Sequence, residues 1–264
     1  MVMKAKKHLG QHFLKSSSAL AKIRDAADIG TTDTVLEIGP GTGALTELLL
    51  NFAGTVMAIE KDPELTALLA LKFAKEIANG KLELLEKDIM DFDPSVMELR
   101  KQPYKLVANI PYYITGAIIE KFLSTPCQPE RMVLLIQKEV AERIGARDHK
   151  ESILSIAVKS YGTPKIIARV PPGAFTPAPT VDSAIISIEG ISRDFFKNVD
   201  ETLFFKVMKT IFGKKRKQIG GSLSELLDNK PEALAALAKA GIDPRTRPED
   251  ISLQTWKLLI QALE

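Results

Sequence analysis

Residues 34–50 hold a short apolar run, a glycine turn and a helical pattern in immediate succession. The run is Thr34-Val35-Leu36-Glu37-Ile38, the turn Gly39-Pro40-Gly41-Thr42-Gly43, and the helical pattern Ala44 to Leu50. A strand that passes into a helix through glycines is the opening of a crossover unit, and crossovers build parallel sheets. The glycines let backbone approach a ligand closely, and the helix amino terminus favours polar or anionic groups. A second apolar run, Thr55 to Glu60, ends in an acid about one such unit later. An acid in that place can bond both hydroxyls of a ribose.

The same alternation continues along the chain. Strands are expected at 34–38, 55–60, 82–86, 105–109, 132–137, 165–170 and 183–188. Helices are expected at 15–30, 44–52, 63–78, 115–124, 138–145 and 151–160. This order predicts an α/β fold with a mostly parallel sheet covered on both faces. Between the last two strands lies Pro171 to Pro179, which reads as too proline-rich for helix or strand, so those strands form a terminal antiparallel pair. After about residue 190 the period changes to helix alone. Phe204, Val207, Met208 and Ile211 share one face; further helices start near Pro231 and at Pro248, the first ending before Gly241. The expected division is a catalytic domain at 1–190 and a small all-helical domain at 191–264, with Trp256 and the Phe204/Phe205 pair in its core.

A chain of 264 residues that is 45% hydrophobic can bury a substantial core. No stretch has the apolar length of a membrane span. The single cysteine, Cys127, excludes an intrachain disulfide framework and suits a reducing, cytoplasmic setting. His8, His12 and His149 are too scattered for a metal site, so none is expected. The net charge is only +3, but its distribution is uneven. Lys4, Lys6, Lys7, Lys15, Lys22 and Arg24 precede the first acid, and Lys214-Lys215-Arg216-Lys217 form a run. Such blocks serve as solvated faces or as phosphate contacts. We read Lys4, Lys6, Lys7 and the 214–217 run as contacts to the phosphates of a nucleic acid.

The apolar run Lys105 to Asn109 ends in Asn109-Ile110-Pro111-Tyr112. By itself this can be a strand followed by a turn. In the company of a nucleotide-type glycine loop it gains another meaning. The Asn109 oxygen and the carbonyl of Ile110 or Pro111 can accept both protons of an exocyclic amine. Proline stiffens the loop, and the Tyr112 ring offers a face for a planar base.

A dinucleotide-binding fingerprint resembles the glycine loop, but here the third glycine follows the second by two residues, not three. An acid followed by Gly-x-Gly-x-Gly looks like the S-adenosylmethionine (SAM) site of class I methyltransferases. From about Lys7 to near the carboxyl end, the chain resembles the bacterial small-subunit ribosomal RNA adenine N6,N6-dimethyltransferases, the kasugamycin-sensitivity methylases. Gly10-Gln11-His12-Phe13-Leu14 matches their amino-terminal motif, Glu37 to Gly43 the SAM loop, and Ile59 to Asp62 the ribose segment. Lys87-Asp88-Ile89 matches the segment beside the SAM adenine, and Asn109 to Tyr112 the catalytic motif. Gln137 to Ile144, Phe175 to Ser183 and Arg247 to Ser252 match further blocks. Two stretches depart from the family pattern: Arg147 to Ser152, and the Gly213 that precedes the basic run.

The resemblance implies SAM as cofactor, held by Gln11, His12, Leu14, Glu37, Gly39, Gly41, Gly43, Glu60, Lys61, Asp88, Ile89 and Asn109. It implies Asn109, Pro111, Tyr112 and Phe175 as the catalytic set, with Tyr112 and Phe175 sandwiching an extruded adenine. The implied substrate is a pair of adjacent adenosines near the 3′ end of 16S ribosomal RNA, within a small subunit or its precursor, and the implied working form is a monomer. Four other readings stay open at this point. They are a large-subunit methylase of the macrolide-resistance type, an RNA-binding assembly factor, a nicotinamide-dependent oxidoreductase, and a protein or small-molecule amino-methyltransferase.

Overall fold

The computed structural model describes Lys6 and residues 10–96, 102–146, 150–214 and 217–264. Its strands are β1 Phe13–Leu14, β2 Thr34–Ile38, β3 Thr55–Glu60, β4 Leu82–Glu86, β5 Tyr104–Asn109, β6 Arg131–Gln137, β7 Thr163–Val170, β8 Phe175–Thr176 and β9 Ser183–Glu189. Its α-helices are α1 Ser17–Ala27, α2 Ala44–Phe52, α3 Pro63–Lys72, α4 Ala74–Ala78, α5 Thr115–Ser124, α6 Lys138–Gly145, α7 Ile153–Tyr161, α8 Glu201–Gly213, α9 Ile219–Leu227, α10 Lys230–Lys239 and α11 Leu253–Gln261.

The main sheet has the order β4-β3-β2-β5-β6-β9-β7. The first five strands are parallel, and β9 runs antiparallel to both β6 and β7. The expected antiparallel pair is therefore present, but β9 inserts between β6 and β7 and leaves β7 at the edge. All five residues of β2 are buried, including Glu37. A central strand covered on both faces has no solvent side, so its sequence is apolar throughout except where chemistry needs otherwise. Val35, Val56, Val107, Val133 and Ile185 pack with Ala19 and Ile23 of α1 and Leu45 and Leu49 of α2. By alternation Leu36, Leu106 and Leu134 turn to the opposite face, where they are equally buried.

Four sequence expectations need correction. The helix expected over 63–78 is two helices, because Phe73 leaves helical geometry at φ −112°, ψ 28° and packs its ring into the core. The helix over 15–30 stops at Ala27, where Asp28 takes a left-handed conformation. Pro248 opens a single 3₁₀ turn, and α11 starts only after Ser252, whose side chain caps it by accepting from Thr255 N. The proline-rich connector is also not featureless: Phe175–Thr176 forms β8, paired with β1 in the register Phe13↔Thr176 and Leu14↔Phe175.

The chain divides into two compact units. One comprises Met1–Ala141 and Thr163–Ile191, the other Glu142–Gly162 and Ser192–Glu264. The division at 191/192 lies beside the residue-190 boundary, but the second unit also takes in α7, which the sequence reading placed in the first. The reason is packing: Ile156 of α7 is buried with Phe204, Val207, Ile211, Leu237 and Trp256. Trp256 and Phe204 are fully buried, with Phe205 half-buried against them.

Candidate active site

Because β2 lies between β3 and β5, the loops that follow these three strands leave one end of the sheet together. The strand order reverses here, and the loops diverge around a crevice, the usual ligand position in such sheets. A cavity opens at this point. Of the residues expected to bind a cofactor or act on a base, Gln11, His12, Leu14, Glu37, Gly39, Gly41, Glu60, Lys61, Asp88, Ile89, Asn109, Pro111 and Tyr112 line it.

Two expected residues do not. Gly43 faces the protein: a Cβ there would lie 2.7 Å from the Phe73 ring and 2.8 Å from Leu69. With φ +81° as well, it lets α2 start against α3 and does not cradle a ligand. Phe175 is 2% exposed and sits in the core beneath β1. In this arrangement it offers no stacking face, since its ring is spent on packing and its backbone on Leu14. The block containing Phe175 reaches the site instead through Ser183, whose buried hydroxyl lies 2.7 Å from the Tyr112 phenol.

The glycine turn is shaped for close approach at Gly41, which has φ +60° and lies under the Phe13 ring, 3.0 Å from where a Cβ would stand. Its N–H donates to Glu60 Oε2 at 3.1 Å, while Glu60 Oε1 accepts from Lys61 N and Asp62 N, each at 2.9 Å. Burial raises the Glu60 carboxyl above its ordinary range, and the three backbone donors oppose that rise. A carboxylate has about four acceptor directions, so three are taken here. Bonding both ribose hydroxyls at once, as the sequence suggested, would need one of these amides to share its acceptor.

Glu37 is the more unusual acid. It is 1% exposed, and its Oε2 has no hydrogen-bond partner. Burial pushes its carboxyl up to about 8; the nearby Thr46 hydroxyl, itself without a partner within hydrogen-bond distance, only partly offsets this, and Glu60 adds repulsion. An orphaned buried carboxyl beside a glycine turn suits a ligand carrying positive charge.

Asp88 binds Lys61 Nζ at 2.6 Å and Met90 N at 2.9 Å, and Lys61 holds its carboxyl below the usual range. Asp62 caps α3 by accepting from Glu64 N at 3.1 Å and also binds Lys6 Nζ at 2.8 Å and Gln11 Nε2 at 3.0 Å. Burial raises the Asp62 carboxyl, but Lys6, Gln11 and the cap outweigh it and hold it low.

On the other side of the crevice, Asn109 Nδ2 donates to the His12 carbonyl at 2.9 Å. Only the NH₂ can donate to a carbonyl, so Oδ1 is the atom left to accept. Pro111 O accepts from Ile114 N at 3.2 Å, while no donor among the described residues reaches the Ile110 carbonyl, whose lone pairs are both open. The His12 ring lies against Tyr112, 6.0 Å between centroids at 21°.

Lys6 is placed in ion pairs with Asp62 and Glu64, not as a free phosphate contact. Lys214 and Lys217 both pair with Glu225 of α9, which they hold at about 2. Lys4, Lys7, Lys215, Arg216 and residues 147–149 of the divergent 147–152 stretch lie outside the described residues. The sequence reading missed Phe13, Asp62 as a clamp, Tyr113, Met90 and Ser183. Only Asp62 carried a usable signal, an acid directly before Pro63-Glu64 at a helix start. Among the described residues no cluster of His, Cys, Asp or Glu could hold a metal ion, and no helix is long and apolar enough to cross a membrane.

This sheet order, glycine turn and pair of crevice-facing acceptors define a class I methyltransferase. The Ribosomal RNA adenine dimethylase family matches residues 2–264, and the chain belongs to that family. It is 45% identical over 258 residues to the ribosomal RNA small subunit methyltransferase A of Dehalococcoides mccartyi strain CBDB1, covering 97% of this chain and 88% of that one. A dimethyladenosine transferase from Plasmodium falciparum has a similar structure, with a TM-score of 0.79 and 27% identity over 94% of this chain and 96% of that one. The 23S rRNA methyltransferase ErmE is similar at 0.74 and 25%, over 95% of this chain and 99% of that one.

Proposed function

We propose that the chain uses SAM to dimethylate N6 of two adjacent adenosines near the 3′ end of 16S ribosomal RNA, within a small subunit or its precursor. The observation that carries this reading is the orientation of Asn109, whose NH₂ is spent on His12 and whose oxygen is left to accept. The resemblance at 45% identity to a small-subunit enzyme favours that substrate over the large-subunit alternative, to which the likeness is 25%. In this reading the protein works as a cytoplasmic monomer, and the basic 214–217 run of the second unit contacts RNA phosphates.

The residues present fit SAM: Gly39 and Gly41 allow close approach, Glu60 presents a fixed acceptor, and the orphaned Glu37 oxygen awaits a cationic partner. When bound, SAM supplies an electrophilic methyl group on a sulfonium. The protein's task is to make a poor nucleophile attack it. The adenine amine shares its lone pair with the ring. Asn109 Oδ1 and the Ile110 carbonyl, accepting its two protons, draw the N–H bonds out of the ring plane and localise the lone pair. Tyr112, its phenol tied to Ser183, holds the extruded base by stacking. Catalysis is then mostly positioning and electrostatics. The methylated nitrogen is cationic and loses one proton readily to water, so no strong base is needed, and one N–H then remains for these acceptors in the second transfer.

The test is transfer from tritiated SAM to small-subunit particles lacking the modification, followed by mass analysis of nucleosides. N6,N6-dimethyladenosine is the expected product. Label in another nucleoside, or none, would overturn the reading.

A further inference from the structure

We infer that Gln11 and Asp62 are positioning residues for Asn109, acting through the His12 carbonyl; the inference rests on the amine-methylating reading above. The terminal torsion of an asparagine is broad, so the strand that carries Asn109 does not by itself fix where Oδ1 points. The bond from Asn109 Nδ2 to His12 O does. The orientation of the acceptor is therefore only as firm as the backbone at His12.

That backbone has little regular structure of its own, since the ladder beginning at Phe13 is two residues long. On the other side stands Gln11. Its Nε2 donates to Asp62 Oδ2 at 3.0 Å, and its Oε1 accepts from Lys6 N at 2.8 Å. Asp62 is 2% exposed and firmly set: it caps α3, pairs with Lys6, and donates its own N–H to Glu60. Gln11 thus moors the residue next to His12 to a buried, charged anchor. The backbone N–H of the same residue holds Glu60, so the acid of the cofactor half and, through Gln11 and His12, the amide of the base half are both tied to Asp62.

A Gln11 that merely touched the cofactor would affect SAM affinity alone. A positioning Gln11 affects the chemical step through Asn109 and nothing else. Single-turnover methylation at saturating SAM separates the two. Gln11→Ala should slow the step about tenfold, the scale of one hydrogen bond to a charged group. In an Asn109→Ala background it should cause no further loss, because the amide it orients is gone. Asp62→Asn keeps one oxygen for the α3 cap but sets an NH₂ against Gln11 Nε2, so it should resemble Gln11→Ala without the loss of the cap that Asp62→Ala adds. Losses that add in the double variant, or a Gln11→Ala defect confined to SAM affinity, would overturn the inference while leaving the proposed reaction intact. A wild-type protein that methylates no adenine would remove both.

Discussion

The Tyr112 phenol and the Ser183 hydroxyl lie 2.7 Å apart, joining the loop after β5 to the first residue of β9. Ser183 is fully buried, so it can serve only the interior of the site. Ser183→Ala and Tyr112→Phe should each free the ring and lower kcat/KM about three- to tenfold, the scale of one neutral hydrogen bond. The double variant should lose little more than either single one. SAM affinity, measured by calorimetry, should stay unchanged in all three; a tenfold fall there would refute a role confined to the base.

Asn109 and Tyr112 should fail differently. Asn109→Ala removes an acceptor whose bond strengthens as positive charge develops on the amine, and should cut single-turnover rate by about a hundred- to a thousandfold. Particle affinity should barely change, because phosphate contacts dominate it. Tyr112→Ala removes a stacking face worth about 1–3 kcal/mol and should weaken retention of the extruded base. Normal methylation by Asn109→Ala would reduce the tetrapeptide to a turn.

Glu37 makes stability depend on pH in an uncommon direction. Its carboxyl stays protonated in the fold up to about 8, while the unfolded chain ionises it near the ordinary 4.5. The unfolded state therefore binds fewer protons across that window, and the contribution from Glu37 is full below it and lost as pH rises through it. Glu37→Gln cannot ionise and should escape the loss. Melting temperatures of the cofactor-free proteins should match near pH 4.5 and separate, with the variant higher, toward pH 8. Parallel curves would show that Glu37 ionises normally.

Glu225 should restrain RNA binding, since it pairs with both Lys214 and Lys217. Glu225→Gln should free these cations, raise affinity at low salt and steepen the log-affinity against log-salt slope. Replacing Lys214 and Lys217 by Ala should flatten that slope by up to ~0.7–0.9 for each phosphate no longer neutralised. If neither change moves the slope, the run is a solvated face.

Much of the fold was legible because its signals are local. Seven apolar runs at crossover spacing forced a mostly parallel sheet, and strands 34–38, 55–60 and 82–86 fall on their expected bounds. The glycine turn, Glu60 and Asn109 were legible as well, since each sits at a strand's carboxyl end and the strand order brings such ends together. The sequence also located a change to helix near residue 190. It could not show that Ile156 belongs with Phe204 and Trp256, because that cluster joins α7 to α8 and α11 across three intervening strands.

By itself, then, the sequence determined that the glycine turn, Glu60 and Asn109 stand at strand ends that open on the crevice. Tertiary structure alone decided how they are spent. Phe175 and Gly43 went to packing, Lys6 to Asp62, and Lys214 and Lys217 to Glu225. The amide of Asn109 was turned by a carbonyl 97 residues away. A side chain's partner across such a distance is set by sheet order and register, and no local pattern encodes either.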